Sequence, residues 1–335
     1  MIRVAMLSFW HVHARDYARQ AQEHPDVNIV AAWDEDVQRG RVRAGELGVR
    51  FYQQLDELLA QPDIDGVIVD TPTSMHREVM VAAAQAGKHI FTEKVLALTP
   101  HECNSILDAV ARAGVKLTVS LPRLNDRYTL AVQDVLKRRL LGELTLVRTR
   151  LSHSGALRTD QHPEGWLPAH FFDRMETGGG ALIDLGCHPM YLARLFLGMP
   201  ESVSAHFGYL TRRPVEDNAV AILHYPQGAL GVVEAGFVNR HSPFTIEIHG
   251  TEGSLFYGTP EARLLMRNDA TQQWSEISDF PPARPTAFQQ WITHIQQGTT
   301  ATENIQVAID LTKLMAAATA SAQQRRIIPL DTVES

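Results

Sequence analysis

Ile2-Arg3-Val4-Ala5-Met6-Leu7-Ser8-Phe9-Trp10-His11-Val12-His13 is a short apolar run that turns abruptly into polar and aromatic residues. Ile2–Leu7 predicts a buried first strand rather than a signal peptide, since the run is too short for an export signal. The segments beyond it decide the fold. A helical stretch from about Ala14 to Glu23 leads to a second apolar run, Val27–Trp33, which ends at Asp34. Val37–Leu47 reads as helix and stops at Gly48. Gly66–Asp70 reads as a strand closed by Thr71-Pro72, and Ser74–Ala86 as a helix stopped by Gly87. His89–Thr92 is a strand, Pro100–Ala113 a helix stopped by Gly114, and Val115–Ser120 a strand. Strand and helix alternating at this pace predict an α/β fold with a parallel sheet covered on both faces.

The pattern changes after Leu121-Pro122. A helix is predicted over Leu124–Leu140, ended by Gly142. Then strand-like runs dominate: Leu144–Leu151, Val203–Leu210, Ala219–His224, Ala229–Phe237, Phe244–His249, Gly253–Tyr257 and Ala262–Met266. Turns such as Tyr225-Pro226-Gln227-Gly228 join several of them, which predicts a large, mainly antiparallel sheet. Helix returns at Pro285–Gln297 and Glu303–Ala322. The expected organisation is a parallel-sheet domain over residues 1–122 and a second domain over 123–335, to which the family resemblance below adds dinucleotide binding for the first and substrate binding and oligomerisation for the second. The C-terminal helices are available to pack back on the first domain.

A length of 335 residues suits two domains, and 44% hydrophobic with 21% charged residues is ordinary for a globular chain. The net charge of -7, without a basic run, argues against nucleic acid or an anionic membrane as partner. No apolar run is long enough to span a bilayer. Two cysteines far apart, Cys103 and Cys187, fit a reducing cytoplasm rather than a disulfide scaffold. The 15 histidines are scattered. His11-x-His13 is the one close pair, and no metal is assigned to it.

A doubly wound sheet binds dinucleotides beyond the carboxyl ends of its strands. Asp34, at the end of the second strand, is placed to hold adenosine ribose hydroxyls, and acidic Glu35 and Asp36 beside it favour NAD over NADP. The glycine fingerprint expected after the first strand is missing: Ser8, Trp10 and His13 occupy its three glycine positions. Either the loop is rebuilt, with the Ser8 hydroxyl, His11, His13 and a helix N-terminus donating to phosphate, or dinucleotide binding has been lost. Ser8, Phe9, Trp10 and His11 are the loop residues expected to line the cofactor; Phe9 and Trp10 can also be read as core residues. Thr71-Pro72-Thr73 and His76 follow the fourth strand, either beside the cofactor or as a plain strand exit. Glu93-Lys94 ends the fifth strand, where a lysine can stabilise a developing alkoxide.

Gly178-Gly179-Gly180-Ala181-Leu182-Ile183-Asp184-Leu185-Gly186-Cys187-His188 supplies the complement. Three glycines are poor helix-interior residues and suit backbone passing close to something bulky. A helix beyond them puts Asp184 and His188 on one face, one turn apart. A helix-cap acid and a buried polar histidine are the alternative reading of that pair.

Together these segments resemble the Gfo/Idh/MocA (glucose–fructose oxidoreductase and inositol dehydrogenase) family. The resemblance runs through Asp34, Thr71-Pro72-Thr73-Ser74-Met75-His76, Ala86-Gly87-Lys88-His89 leading to Glu93-Lys94, and the glycines leading to Asp184 and His188. Val95 stands where the family carries proline, and the phosphate-loop glycines are absent. The resemblance implies a Rossmann domain followed by an α/β domain whose open sheet mediates dimers or tetramers. It also implies a catalytic set of Lys94, Asp184 and His188. Trp166 resembles a substrate-proximal family position but can equally be core, while Arg123 and Asn125 follow the last Rossmann strand and are placed to face substrate. The implied activity is NAD-dependent oxidation of a secondary alcohol in a sugar or polyol. His188 accepts the hydroxyl proton, Asp184 orients and Lys94 stabilises the alkoxide. A lyase or hydrolase using transient oxidation, and a non-catalytic sensor on the same fold, remain the alternatives.

Overall fold

The computed structural model of the chain describes residues 1–258 and 261–333. The chain divides into two compact units, Met1–Leu121 with Pro285–Ile309, and Pro122–Arg284 with Asp310–Ser335.

The strands of the first unit are β1 (Ile2–Leu7), β2 (Val27–Trp33), β3 (Arg50–Phe51), β4 (Gly66–Val69), β5 (His89–Thr92) and β6 (Leu117–Val119). Among the described residues they form one six-stranded sheet in the order β3-β2-β1-β4-β5-β6, with parallel pairing throughout. The order reverses between β1 and β4, so a crevice opens beyond their carboxyl ends. All four residues of β4 are buried, which is why these strands read as apolar runs rather than alternating ones. The helix Ala14–Glu23 turns Ala14, Tyr17, Ala18 and Ala21 inward at helical spacing. The helix Pro100–Ala113 starts in a Thr99/Glu102 capping box and ends at Gly114 with φ 68°.

The helix Ala287–Gln297 belongs to this unit, so the C-terminal part of the sequence completes the N-terminal core. Phe288 and Trp291 pack on Phe91 of β5, with ring centroids 5.4 and 5.8 Å away. Gly66 leaves the room: a Cβ there would sit 3.0 Å from the Trp291 ring. Trp291 is fully buried, so Trp291→Ala is expected to cost about 3–5 kcal/mol in chemical denaturation. An unchanged unfolding midpoint would show that this helix is dispensable to the first core. The edge strand β6 is closed by a side chain, because Asn304 both accepts from the Val119 N–H and donates to the Val119 carbonyl, each at 2.8 Å.

The second unit holds β7 (Leu144–Ser152), β8 (Ser202–Gly208), β9 (Asn218–His224), β10 (Leu230–Gly236), β11 (Thr245–Gly250), β12 (Gly253–Tyr257), β13 (Leu264–Asn268), β14 (Ser275–Glu276) and β15 (Ile328–Pro329). Among the described residues they make a nine-stranded sheet in the order β14-β13-β12-β11-β7-β10-β9-β8-β15. Only β7 and β10 pair in parallel; the remaining neighbours are antiparallel. The fold is therefore α/β, with the two sheet types the sequence pattern predicts. The apolar helix Cys187–Leu197 packs on β7 and β10, pinned where the Thr149 hydroxyl donates to the Pro189 carbonyl at 2.9 Å.

Local boundaries differ from the sequence reading where geometry intervenes. The helix predicted from Leu124 begins at Arg127, because Pro122–Leu124 forms a 3₁₀ turn first. The strands β3, β14 and β15 and the short helix Leu55–Leu59 were not predicted. Two-residue strands carry no period to read, and their pairing alone defines them.

Candidate active site

In the first unit the loop after β1 keeps the backbone of a glycine loop without its glycines. Ser8 has φ 77°, a left-handed conformation that disfavours side chains. The loop's N–H groups turn inward. Phe9 N–H donates to Asp34 at 2.9 Å, Trp10 N–H to Ser8 Oγ at 3.0 Å, His11 N–H to the Asp70 carbonyl at 3.1 Å, and His13 N–H to His11 Nδ1 at 3.2 Å. The Ser8 hydroxyl, expected to face phosphate, is fully buried and hydrogen-bonded to Glu35. Trp10 is buried, and Phe9 packs on the core built by β1, β2 and the first helix. The imidazoles of His11 and His13 are thus the side chains this loop brings to the crevice, with ring centroids 4.7 Å apart.

Asp34 ends β2 fully buried. Its carboxylate accepts from Phe9 N–H, Asp36 N–H and both arms of Arg39, at 2.7 and 3.0 Å. Arg39 was missed in the sequence: it lies one helical turn beyond Glu35, which it also bonds, and nothing in its spacing announces a bidentate partner. A ribose diol reaching Asp34 has to exchange with this guanidinium.

At the end of β4, Thr71 Oγ1 is buried with no hydrogen-bond partner among the described residues. An unsatisfied hydroxyl costs about 1–3 kcal/mol, and at the carboxyl end of a central strand it fits a polar ligand group. Pro72 is buried, and Thr73 begins a short 3₁₀ turn. His76 is a brace: its Nδ1 bonds the Val95 carbonyl at 2.9 Å and so holds the segment after Lys94. Burial lowers the pKa of His76, so its Nδ1–H donates from a neutral ring. Lys94 is buried, and the Lys94–Val95 peptide is cis. Glu93 is buried against Tyr17, His13 and His11. Burial works to raise the Glu93 carboxyl, but the charges of His11, His13 and Lys94 and the His13 hydrogen bond outweigh it and hold it well below the ordinary range.

In the second unit the three glycines have separate causes. Gly178 closes the turn Arg174–Thr177 with φ 78°. Gly180 presses on the backbone of the β8–β9 connection: a Cβ there would lie 2.0 Å from the Glu216 carbonyl oxygen. Gly179 meets nothing as close. The bulky neighbour anticipated from the sequence is therefore the chain itself. Glu216 also accepts the Gly180 and Leu182 N–H groups at 2.9 and 3.0 Å. A π-type turn over Leu182–Gly186 carries Asp184 into the helix Cys187–Leu197, with His188 in its first turn.

His188 is buried, and its Nδ1 lies 3.2 Å from Tyr191 Oη. The same oxygen accepts the Arg123 N–H at 3.1 Å. Burial pushes the Tyr191 phenol well above its ordinary pKa, so it stays protonated. Arg123 stacks 4.1 Å over Phe244 and donates to Tyr128 Oη at 2.9 Å. Asp184 is half-buried, and its charge acts on His153. His153 was given no role from sequence, yet it is the residue that follows β7. Its ring lies 13° from parallel with Phe237 and 4.6 Å from Trp166. Burial lowers the His153 pKa against the pull of Asp184. Its Nδ1 accepts the Gly155 N–H at 3.0 Å, which leaves the proton of the neutral ring on Nε2. Trp166 is 47% exposed, so it is not core. Asn125 is half-buried and accepts the Arg284 N–H. Asp184, His153 and Trp166 thus form one cluster, and His188, Tyr191 and Arg123 another, joined by the π turn.

Residues 2–121 match the family model of an oxidoreductase family with an NAD-binding Rossmann fold, and residues 129–256 match the GFO/IDH/MocA C-terminal domain. The scyllo-inositol 2-dehydrogenase (NAD(+)) of Bacillus subtilis is 34% identical over 246 residues, covering 70% of this chain and 67% of that protein. The 1,5-anhydro-D-fructose reductase of Ensifer adhaerens is 29% identical over 246 residues, covering 72% of each. Among solved structures, a levoglucosan dehydrogenase in complex with NADH and L-sorbose superposes with a TM-score of 0.84 at 18% identity, over 100% of both chains.

Proposed function

The chain belongs to the GFO/IDH/MocA family of NAD-binding oxidoreductases, and from that premise we propose that it oxidises a secondary alcohol of a sugar or polyol, with His188 as the base. The observation that supports this reading is the buried His188 imidazole held beside the Tyr191 phenol. Tyr191 Oη accepts the Arg123 N–H and lies 3.2 Å from His188 Nδ1, and in the tautomer that donates from Nδ1 to this oxygen, Nε2 receives the substrate hydroxyl proton. The half-buried Asp184 and the Nε2–H of His153 offer a substrate one acceptor and one donor, and Trp166 gives an apolar wall of the kind sugar rings stack on. Lys94 stabilises the alkoxide that develops as hydride departs. Bound NAD supplies the hydride acceptor.

The residues proposed to hold the cofactor are Asp34 at the ribose, after exchange with Arg39, then Thr71, Pro72 and Thr73 beyond β4, and His11, Glu93 and Lys94 across the crevice. The unsatisfied Thr71 hydroxyl supports this placement. Two features support NAD over NADP: Arg39 is already neutralised by Asp34 and Glu35, and Glu35 is half-buried beside the loop. Thermal shift separates the two. NAD at about 100 times its dissociation constant should stabilise the protein by about 2.7 kcal/mol, with a smaller shift from NADP at equal concentration. A larger shift with NADP would reverse the roles given to Asp34 and Arg39. The substrate class itself is tested by reduced-nicotinamide formation across a panel of sugars and polyols, and turnover confined to non-hydroxylated substrates would reject it.

No helix among the described residues is long and apolar enough to cross a membrane. A cytoplasmic location is proposed from the two buried thiols, Cys103 and Cys187. Assembly into a dimer or tetramer is proposed through the nine-stranded sheet, where Arg148 lies in a bidentate pair with Glu234; light scattering showing a monomer would reject it.

A further inference from the structure

His11, His13 and Glu93 each offer one nitrogen or oxygen, and these atoms lie within 4.8 Å of one another, close enough for a small closure to bring them onto one ion. Glu93 lies 80 residues from His13 in sequence, and only the parallel pairing of β5 next to β4 and β1 brings it beneath the loop. The spacing suits a metal. Two ligands about 2.1 Å from a tetrahedral cation stand roughly 3.4 Å apart, and His13 Nδ1 is 3.4 Å from Glu93 Oε2.

A second observation points to the same place. Asp70 follows β4 as Glu93 follows β5, one position beyond the paired residues Val69 and Thr92. Neighbours in parallel register turn their side chains to the same side of the sheet. Asp70 is fully buried, and neither carboxylate oxygen has a hydrogen-bond partner among the described residues. Two buried carboxyl groups side by side repel when both are charged, and a cation between them offsets that repulsion as a proton on one of them would. The Tyr17 phenol bonds Glu93 from behind and fixes its orientation.

We infer that His11, His13 and Glu93, with Asp70 beside them, form a binding site for one borderline divalent cation of the zinc, cobalt or nickel type. Imidazole nitrogens select such ions over magnesium or calcium, which prefer all-oxygen sets. Three protein ligands leave a coordination position for an oxygen donor. The site lies within the first unit and shares His11 and Glu93 with the crevice proposed for the cofactor, so it is tested without NAD; its existence does not depend on His188 chemistry.

The test uses the full-length protein stripped with a chelator and titrated with Co²⁺, whose visible absorption reports nitrogen and oxygen ligation. One equivalent is expected to bind, Zn²⁺ should displace it, and His13→Asn should weaken binding by at least about 10-fold. His162→Asn, at an exposed histidine elsewhere, is expected to leave binding unchanged. A second measurement needs no variant. Zn²⁺ should protect His11 and His13 of the wild-type chain from diethyl pyrocarbonate, mapped by mass spectrometry. Absence of stoichiometric Co²⁺ binding, binding indifferent to His13→Asn, or equal labelling of both histidines with and without Zn²⁺ would each overturn the inference.

Discussion

His188→Ala is expected to lower kcat with a sugar or polyol substrate by about 10²–10⁴-fold, the usual worth of a positioned general base, while NAD affinity stays within a small factor. The loss should fall on kcat and kcat/KM together, because the proton is taken only in the transition state. Tyr191→Phe sharpens the test. It removes the hydroxyl beside His188 Nδ1 and strands the Arg123 N–H, so it should lower kcat, but less than His188→Ala does. Full turnover in His188→Ala would transfer the proton to another residue. His153 is a poor substitute, because its Nδ1 is occupied by Gly155 and its Nε2 holds the proton.

Glu216→Ala is expected to destabilise the protein by about 2–6 kcal/mol, from two buried N–H groups left unsatisfied at about 1–3 kcal/mol each. Those groups belong to Gly180 and Leu182, the two residues that launch the turn carrying Asp184. Activity should fall with stability, since the turn loses its anchor. Glu216→Gln keeps the accepting oxygen and separates charge from hydrogen bonding. Burial raises the Glu216 carboxyl above its ordinary value, only partly offset by the Leu182 and Gly180 bonds and by Arg174. The folded state therefore binds the proton more tightly than the unfolded chain. Its stabilising contribution is present at acid pH and is lost as pH rises through the raised value. The melting temperature of Glu216→Gln relative to wild type should accordingly increase from acid to neutral pH. An Ala variant that melts with the wild type would show that the glycine segment is held some other way.

Much of this was legible in one dimension. A fully buried parallel strand has no polar face, so Gly66–Val69 announces itself as an apolar run, as does Val27–Trp33, which is exposed at Asn28 alone, and Gly48 and Gly114 mark helix ends by their left-handed backbone. The alternation of those runs gives the first sheet, and short runs between turns give the second. The helical repeat sets Asp184 and His188 four residues apart, and the structure puts Asp184 in a π-type turn that leads into the helix of His188. Helix boundaries and two-residue strands were less legible, because caps and edge pairing involve too few residues to build a period.

The sequence by itself determined the two sheet types and the dinucleotide fold, because each is written in spacings of a few residues. Tertiary structure alone decided that residues 285–297 complete the first core, that Arg39 occupies Asp34, that Gly180 yields to the Glu216 backbone, and that the Asp184 charge acts on His153. It alone joined His11 and His13 to Glu93. These partners are separated by tens or hundreds of residues, or differ from unpaired neighbours only in rotamer. Their meeting is set by strand order and packing, which no local repeat encodes.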